Sequence, residues 1–526
     1  MNNKFPDGPF FIPSYTSPQG GVDFLGLRQV NLDFMSSCLP GINNVTRYIR
    51  PFSVISWMYW KIYDIMNQNK IDIIKNVEIN NFCEKVETLF TWGHIINNTG
   101  GIPGLDSKPP KSIKGKVPLL FSDWKRTKKN TSLMAAVQYG PASKTNSGLS
   151  FVRPMENNIF KTCSEGVNLA VALDQKLKKT SAYSIINNLN TIEGTVNDAS
   201  ELYSSWSIEK PTKEEKAAFL KNFFDKNSIG DNSLIGHRSA TIELLQEVLR
   251  NNKKVLEIQA LRIKMAYLLN SKGDFIELKE QLKFAQKRWL ILQIRQSQRL
   301  ALEGLFAWVE NVVLKYSIND FDQISNRAVE SLMSDPFFYK CEKVSDIIKN
   351  QFRNFKSIED LICASQTNDD LCIFELMYNL EVSLKDYSDM IASLAFKNIL
   401  LCYFYCELLK PEKNIYDLLT HGGSGRISLA YLNQTINNIN SMTIKGFINF
   451  ILEYFVLSQH FAVASGRYDG NTQRLRLAIE DDGFRCLNEK PWKPNITSDR
   501  LYAAISLLND CDVIRLDRDK GIVELL

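Results

Sequence analysis

Hydrophobic positions along this chain recur mostly at spacings of three and four, the period of a helix with one apolar face. A first helical pattern runs from Asn43 to about Met66, NNVTRYIRPFSVISWMYWKIYDIM. Asn44 is placed to cap it. Pro51 marks a start or a kink, because proline lacks an amide donor and clashes with the preceding turn. Phe52, Trp57, Tyr59 and Trp60 make this segment the expected nucleus of a first core. Residues 71–90 predict another helix. From Thr212 to about Leu314 the pattern predicts helix throughout, most clearly from Asp274 onward. There Leu278, Leu282, Ala285, Trp289 and Leu292 fall on one face. Residues 326–461 continue as helices, broken at Asp335-Pro336, Lys410-Pro411 and His421-Gly422-Gly423. No repeat at solenoid spacing is visible.

Two segments break the helical period. Ser132–Gln138 predicts a short helix. Leu149–Val152 and Ile159–Lys161 are β-prone stretches around the turn-like RPMENN, and Thr162 or Ser164 is placed to cap the helix SEGVNLAVALDQKL. At the C-terminal end, Thr497 is placed to cap the helix DRLYAAISLLN. DVIRL and GIVELL then read as strands around the turn Asp517–Gly521, where Gly521 suits a positive φ. Each segment is a helix plus a hairpin, the local grammar of a winged-helix module. The expected fold is therefore mainly α and multidomain, with winged-helix-like α/β-hairpin modules. Residues 1–205 would form an N-terminal helical domain carrying one module at about 116–180. Residues 206–330 would form a central helical domain with the long amphipathic helix. Residues 331–526 would form a C-terminal helical domain ending in helix plus β-hairpin.

The length of 526 residues exceeds what one core usually organises. With 44% hydrophobic and 23% charged residues, the composition is that of a folded chain. The opening MNNKFPDGPFFIPSY has no basic stretch followed by an apolar core, so no signal peptide is expected. Lys397 and Glu407 interrupt the apolar run Met390–Leu409, and Glu453 interrupts Phe447–Leu457. Both read as core helices rather than membrane spans. Ten cysteines form no CxxC pair, and Cys402 and Cys406 fall on adjacent turns of one helix. That usage suits buried thiols in a reducing cytosol, and a cytoplasmic location is expected. The four histidines lie far apart without metal-ligand spacing, so neither a zinc site nor a cofactor is expected.

The formal net charge is only +5, but it is uneven. Residues 101–130 hold eight bases and two acids. Within them Lys125, Arg126, Lys128 and Lys129 suit phosphate contacts, or equally a solvated linker. Lys283, Lys287, Arg295 and Arg299 form a ridge with no acid between Glu280 and Glu303. Such a ridge could track a nucleic-acid backbone or be the ordinary exposed face of a helix. Arg47 and Arg50, close to Trp57, suit phosphate contact or base stacking, or the rim of a core helix. The loop HGGSGR lacks the lysine of a phosphate-binding P-loop. Asp274, Glu277 and Lys279 echo a nuclease metal site, but the pattern places them at the start of a helix rather than on converging strands. No GxSxG or HExxH is present, and no catalytic or metal-binding residue is assigned. A triad assembled from distant residues stays open.

The stretch LPGINNVTRYIRPFSVISWMYW (Leu39–Trp60) resembles the opening of a large, poorly characterised bacterial family found in mobile or defence-associated gene clusters. RWLILQIRQSQRLALEGLFAWVE (Arg288–Glu310) and the tail QHFAVASGRYDG, followed by helix and hairpin, are similar in order. FKTCSEGVNLAVAL resembles the closing segment of many bacterial winged-helix domains. Together the family-like segments cover about a fifth of the chain. The resemblance implies a non-enzymatic DNA-binding or adaptor component of a bacterial antiphage, DNA-handling complex. DNA and other subunits (a helicase, nuclease or ATPase) would be its partners, with no membrane involved. The alternatives are a protein-interaction scaffold without nucleic-acid binding and an effector nuclease with a divergent site.

Overall fold

In the computed structural model, the described residues are 23–100, 102, 115–123, 132–156, 159–420, 426–433, 440–468 and 474–526. The chain is mainly helical, as its periodicity predicts, with four small sheets among the described residues. It divides into two compact units. One comprises residues 33–290 and 497–526; the other comprises residues 1–32 and 291–496. Each unit is assembled from segments distant in sequence.

Helix α1 (Arg28–Cys38) carries the chain across the first boundary. The larger unit then follows with α2 (Arg50–Asn69) and α3 (Asn76–Ile96). Pro51 sits in the first turn of α2, where a missing amide donor costs nothing, so it starts the helix rather than kinking it. Strands β1 (Val152–Pro154) and β2 (Phe160–Thr162) pair antiparallel as a hairpin. Helix α4 (Ser164–Leu177) follows, then α5 (Val196–Trp206) and α6 (Lys213–Phe223). The core forms where α4 packs on α2 and α6, and α5 packs on α3. Phe52 of α2 is its centre, with ring centroids 5.1 Å from Tyr139, 5.7 Å from Phe151 and 5.3 Å from Phe219.

Three local expectations change here. The helix expected from Ile71 begins at Asn76, and residues 71–75 form an open connection. Ser132–Gln138 forms consecutive turns rather than a helix. Thr162 does not cap α4; its hydroxyl donates to the Ser56 carbonyl at 2.7 Å and ties the hairpin to α2.

Helix α7 (Leu234–Arg250), strand β3 (Val255–Glu257) and helix α8 (Ile258–Tyr267) complete this part of the unit. Helix α9 (Glu280–Tyr316) passes into the smaller unit. There α10 (Phe321–Met333) and α11 (Ile373–Asp386) pack against α12 (Ile391–Leu409), with α13 (Ile444–Phe450) against α10. A π-helical stretch, Ile451–Leu457, continues α13 into α14 (Ser458–Gly466). Strands β4 (Leu477–Glu480) and β5 (Gly483–Cys486) form a second hairpin. Two helical runs, Ile391–Leu409 and Ile444–Gly466, are long and apolar enough to cross a membrane, yet 83% of the first one's apolar window is buried inside the fold. Lys397 within it is buried and ion-paired, so α12 is a core helix.

The chain ends back in the larger unit with α15 (Leu501–Asp510), β6 (Ile514–Asp517) and β7 (Ile522–Leu525). Gly521 does adopt a positive φ, of 64°, at the hairpin turn. The cap differs from expectation: Arg500, itself at φ 66°, precedes the helix without a side-chain cap. The sheet has the order β3-β7-β6, so a strand from Val255–Glu257 extends the C-terminal hairpin.

Candidate functional site

The ten basic residues singled out as phosphate contacts separate into three groups. Lys125, Arg126, Lys128 and Lys129 lie outside the described residues. Lys283, Lys287 and Arg47 are at least partly exposed. Lys283 pairs with Glu280 at 2.6 Å on the preceding turn. Arg47 lies over the Tyr502 ring, 4.9 Å from its centroid. Arg50, Arg295 and Arg299 are buried and therefore cannot meet a phosphate.

The reason lies in α9. Its amphipathic stripe is as expected, with Leu278, Leu282, Ala285, Trp289 and Leu292 all buried. Beyond Arg288, however, every residue to Val312 is buried, so the helix has no solvent face there. Its polar side chains are satisfied within the fold. Arg295 donates to the Leu27 carbonyl at 3.4 Å and to Gln298, and burial pushes its guanidinium down to about 10. Arg299 donates to Glu303 at 2.8 Å, one turn on, and to the Asn495 carbonyl at 3.3 Å. Burial pushes the Glu303 carboxyl up to about 7 despite that partner. The acid-free ridge thus ends at its own counter-ion.

Arg50 behaves alike. Its guanidinium donates to the carbonyls of Ser205 and Lys210, each at 2.6 Å, and lies 3.2 Å from Glu215, with both side chains fully buried. Burial lowers its pKa, opposed by Glu215. It joins α2 to α5, to α6 and to the segment between them. Two buried histidines are also core groups. His94 Nε2 accepts from the Ile208 amide, and His460 Nε2 from the Arg476 amide, each at 3.1 Å. Burial pushes both down to about 4, so they stay neutral. Asp274 lies before α9 rather than on it, bound by Asn270 at 3.2 Å.

A cleft of about 390 Å³ opens in the smaller unit beside α10 and the start of α12. It is lined by Trp308, Arg327, Glu330, Asp335, Asp389 and Ser393, among others. Here Ser393 and Lys397 stand one turn apart on α12, an arrangement the sequence reading missed. Ser393 donates to Asp335, and Lys397 donates to Asp335 at 2.8 Å and to Asp370 at 2.7 Å. Burial would raise the Asp335 carboxyl, but these hydrogen bonds and the Phe337 amide outweigh it and hold it below the usual range. A carboxylate so stabilised is a poor base for a serine at neutral pH. The ammonium of Lys397 is likewise committed to two carboxylates rather than to the hydroxyl. The cluster ties α12 to the Asp335-Pro336 turn. Among the described residues, no group of three or more His, Cys, Asp or Glu is placed to hold a metal ion.

The C-terminal segment is the other singular region. Helix α15 is buried along almost its whole surface; Tyr502, Asn509 and Asp510 are its only half-exposed residues. Asp499 binds Arg262 of α8 at 2.5 Å. Arg500 donates to the Leu39 carbonyl at 3.2 Å and to the Ser36 hydroxyl at 3.0 Å. At the other end, Asp510 accepts from the Ile49 amide at 3.1 Å, and Arg518 lies over the Tyr48 ring. Residues 36–50 thereby hold both ends of the helix. No protein family, curated protein or solved structure matches this chain.

Proposed function

We propose that the protein is a non-enzymatic adaptor, a subunit of a multi-protein DNA-handling complex, built on a divided winged helix. Helix α7, strand β3, helix α8, helix α15 and strands β6 and β7 follow the helix–strand–helix–helix–strand–strand order of a winged helix. The sheet order β3-β7-β6 supports this reading, because the first strand of a winged helix pairs with its third. Residues 268–500 would then be an insertion between its second and third helices. In a DNA-reading module the third helix presents its face to the major groove. Here the carrying observation is that α15 is buried along almost its whole length, with residues 36–50 bound at both of its ends. The module therefore packs and docks protein rather than reading a duplex.

Partner capture tests this reading. The full chain should co-purify with other subunits, and duplex affinity measured by fluorescence anisotropy should be indifferent to Tyr502→Ala and Asn509→Ala. Duplex affinity that falls with either change would return α15 to a recognition role. Direct DNA contact is the second reading. It is favoured by Arg47, whose exposed guanidinium stacks on Tyr502 and has no carboxylate partner among the described residues. Changing Lys125, Arg126, Lys128 and Lys129 together to Ala should then lower the salt slope of binding by up to about 0.9 per lost contact. An unchanged slope makes that segment a solvated linker.

A further inference from the structure

The cleft beside α10 keeps a buried donor and an exposed acceptor without partners. Arg327 and Glu330 stand one turn apart on α10, and both line it. The Arg327 guanidinium lies over the Tyr316 ring, 3.7 Å from its centroid, and donates to Asp389 at 3.1 Å. Asp335 is taken by Lys397 and Ser393. Glu330 is the carboxylate left over, with no hydrogen bond or ion pair to its side chain among the described residues. Trp308 of α9 is the complementary group. It is 1% exposed and lines the cleft, yet its indole N–H donates to nothing among the described residues. A buried indole N–H usually finds an acceptor. The nitrogen is not sealed in the core as that of Trp206 is, so its open side is the cleft. Met390, 59% exposed, adds an apolar wall. The Ser331 hydroxyl donates to the Asp389 carbonyl at 2.9 Å and fixes that wall to α10.

We propose that this cleft binds a small organic amine. The ammonium pairs with Glu330, an oxygen of the same molecule accepts from the Trp308 N–H, and the apolar body lies against Met390. The carboxylates Glu330, Asp335 and Asp389 outnumber the cations Arg327 and Lys397 that offset them, so the cleft favours a cation over an anion. An alkylammonium group keeps its charge at neutral pH. A volume of about 390 Å³ suits a free small molecule.

Calorimetric titration of the full chain with tyramine tests the proposal, because tyramine carries an ammonium, an apolar ring and an oxygen. It should bind at one site at millimolar concentration. Phenethylamine, which lacks the oxygen, should bind about fivefold more weakly. Glu330→Gln should weaken tyramine by about fivefold and leave the thermal melt unchanged, since Glu330 is exposed. With the tryptophan nitrogens isotope-labelled, the indole N–H signal that is lost in Trp308→Phe should move further with tyramine than with phenethylamine. No binding of tyramine, or equal binding of its carboxylate counterpart hydroxyphenylpropionate, overturns the proposal. So does a Glu330→Gln protein that binds as the wild type does, or equal affinity for tyramine and phenethylamine. Tighter binding of the tripeptide Gly-Lys-Gly than of tyramine overturns it too, because the cleft would then dock a lysine of another protein.

Discussion

Two segments of the larger unit, 149–177 and 501–526, share one local grammar of hairpin and helix, and the fold treats them in opposite ways. In the first, the hairpin is two-stranded and its outward pair is Arg153 directly opposite Lys161. Its β2 residues are only half-buried. In the second, β7 pairs on both edges, with β6 and with β3, and Val523, Ile514 and Leu508 are buried. The difference comes from a strand about half the chain away. A third strand completes a sheet with a face to bury, whereas a hairpin alone is marginal. Local sequence sets the hairpins; long-range pairing decides which one becomes core.

The largest test of this contrast removes buried volume from the second segment. Leu508→Ala should lower the unfolding free energy by about 4 kcal/mol, measured by chemical denaturation. Phe160→Ala in the first hairpin, half-exposed, should cost no more than about 1 kcal/mol. Similar costs would erase the contrast.

Next comes the tie between α8 and the C-terminal segment. Asp499→Ala strands Arg262, and the expected loss is about 3 kcal/mol. A loss below about 1 kcal/mol would show that the two parts are not held as described.

The third test is a pH dependence. Burial pushes Asp510 up to about 6, despite the Ile49 amide and Arg518. Its unfolded value is near 4. The folded state therefore binds the proton more tightly, and this contribution is complete below about pH 4 and lost as pH rises through about 6. Relative to Asp510→Asn, the wild type should gain about 1 kcal/mol between pH 7 and pH 5. A flat difference between the two proteins would place Asp510 in solvent.

The smallest effect is expected at the first hairpin. Arg153→Ala removes a like-charge cross-strand pair and should stabilise the protein by up to about 0.5 kcal/mol at low salt. Destabilisation would mean that Arg153 has an internal role.

Much of this fold was legible residue by residue. The stripe Leu278–Leu292, the start of α2 at Pro51, the breaks at Asp335-Pro336 and Lys410-Pro411, and the turn at Gly521 all follow from local rules. The candidate site was less legible. Glu303, four residues after Arg299, was visible as the end of the acid-free ridge, and that spacing is the signature of an ion pair within one helix. What the sequence did not carry was that this pair is sealed from water. The Ser393–Lys397 spacing was equally visible, but its meaning depended on Asp335 and Asp370 arriving from other turns.

The sequence by itself determined the main helices and the hairpins at 152–162 and 514–525, because periodicity, proline and glycine act within a few residues; the hairpin Leu477–Cys486 carried no such signal. It also showed where basic side chains lie along the chain. Only the tertiary structure decided which of them reach solvent. Arg50, Arg295 and Arg299 look like surface groups in any window of sequence, yet each is desolvated by partners from elsewhere: Ser205 and Lys210, Leu27, and Asn495. The strand Val255–Glu257, read locally as part of a helical stretch, became the outer edge of the C-terminal sheet for the same reason. Burial and strand pairing are properties of non-local contacts, and those contacts overrule local propensity.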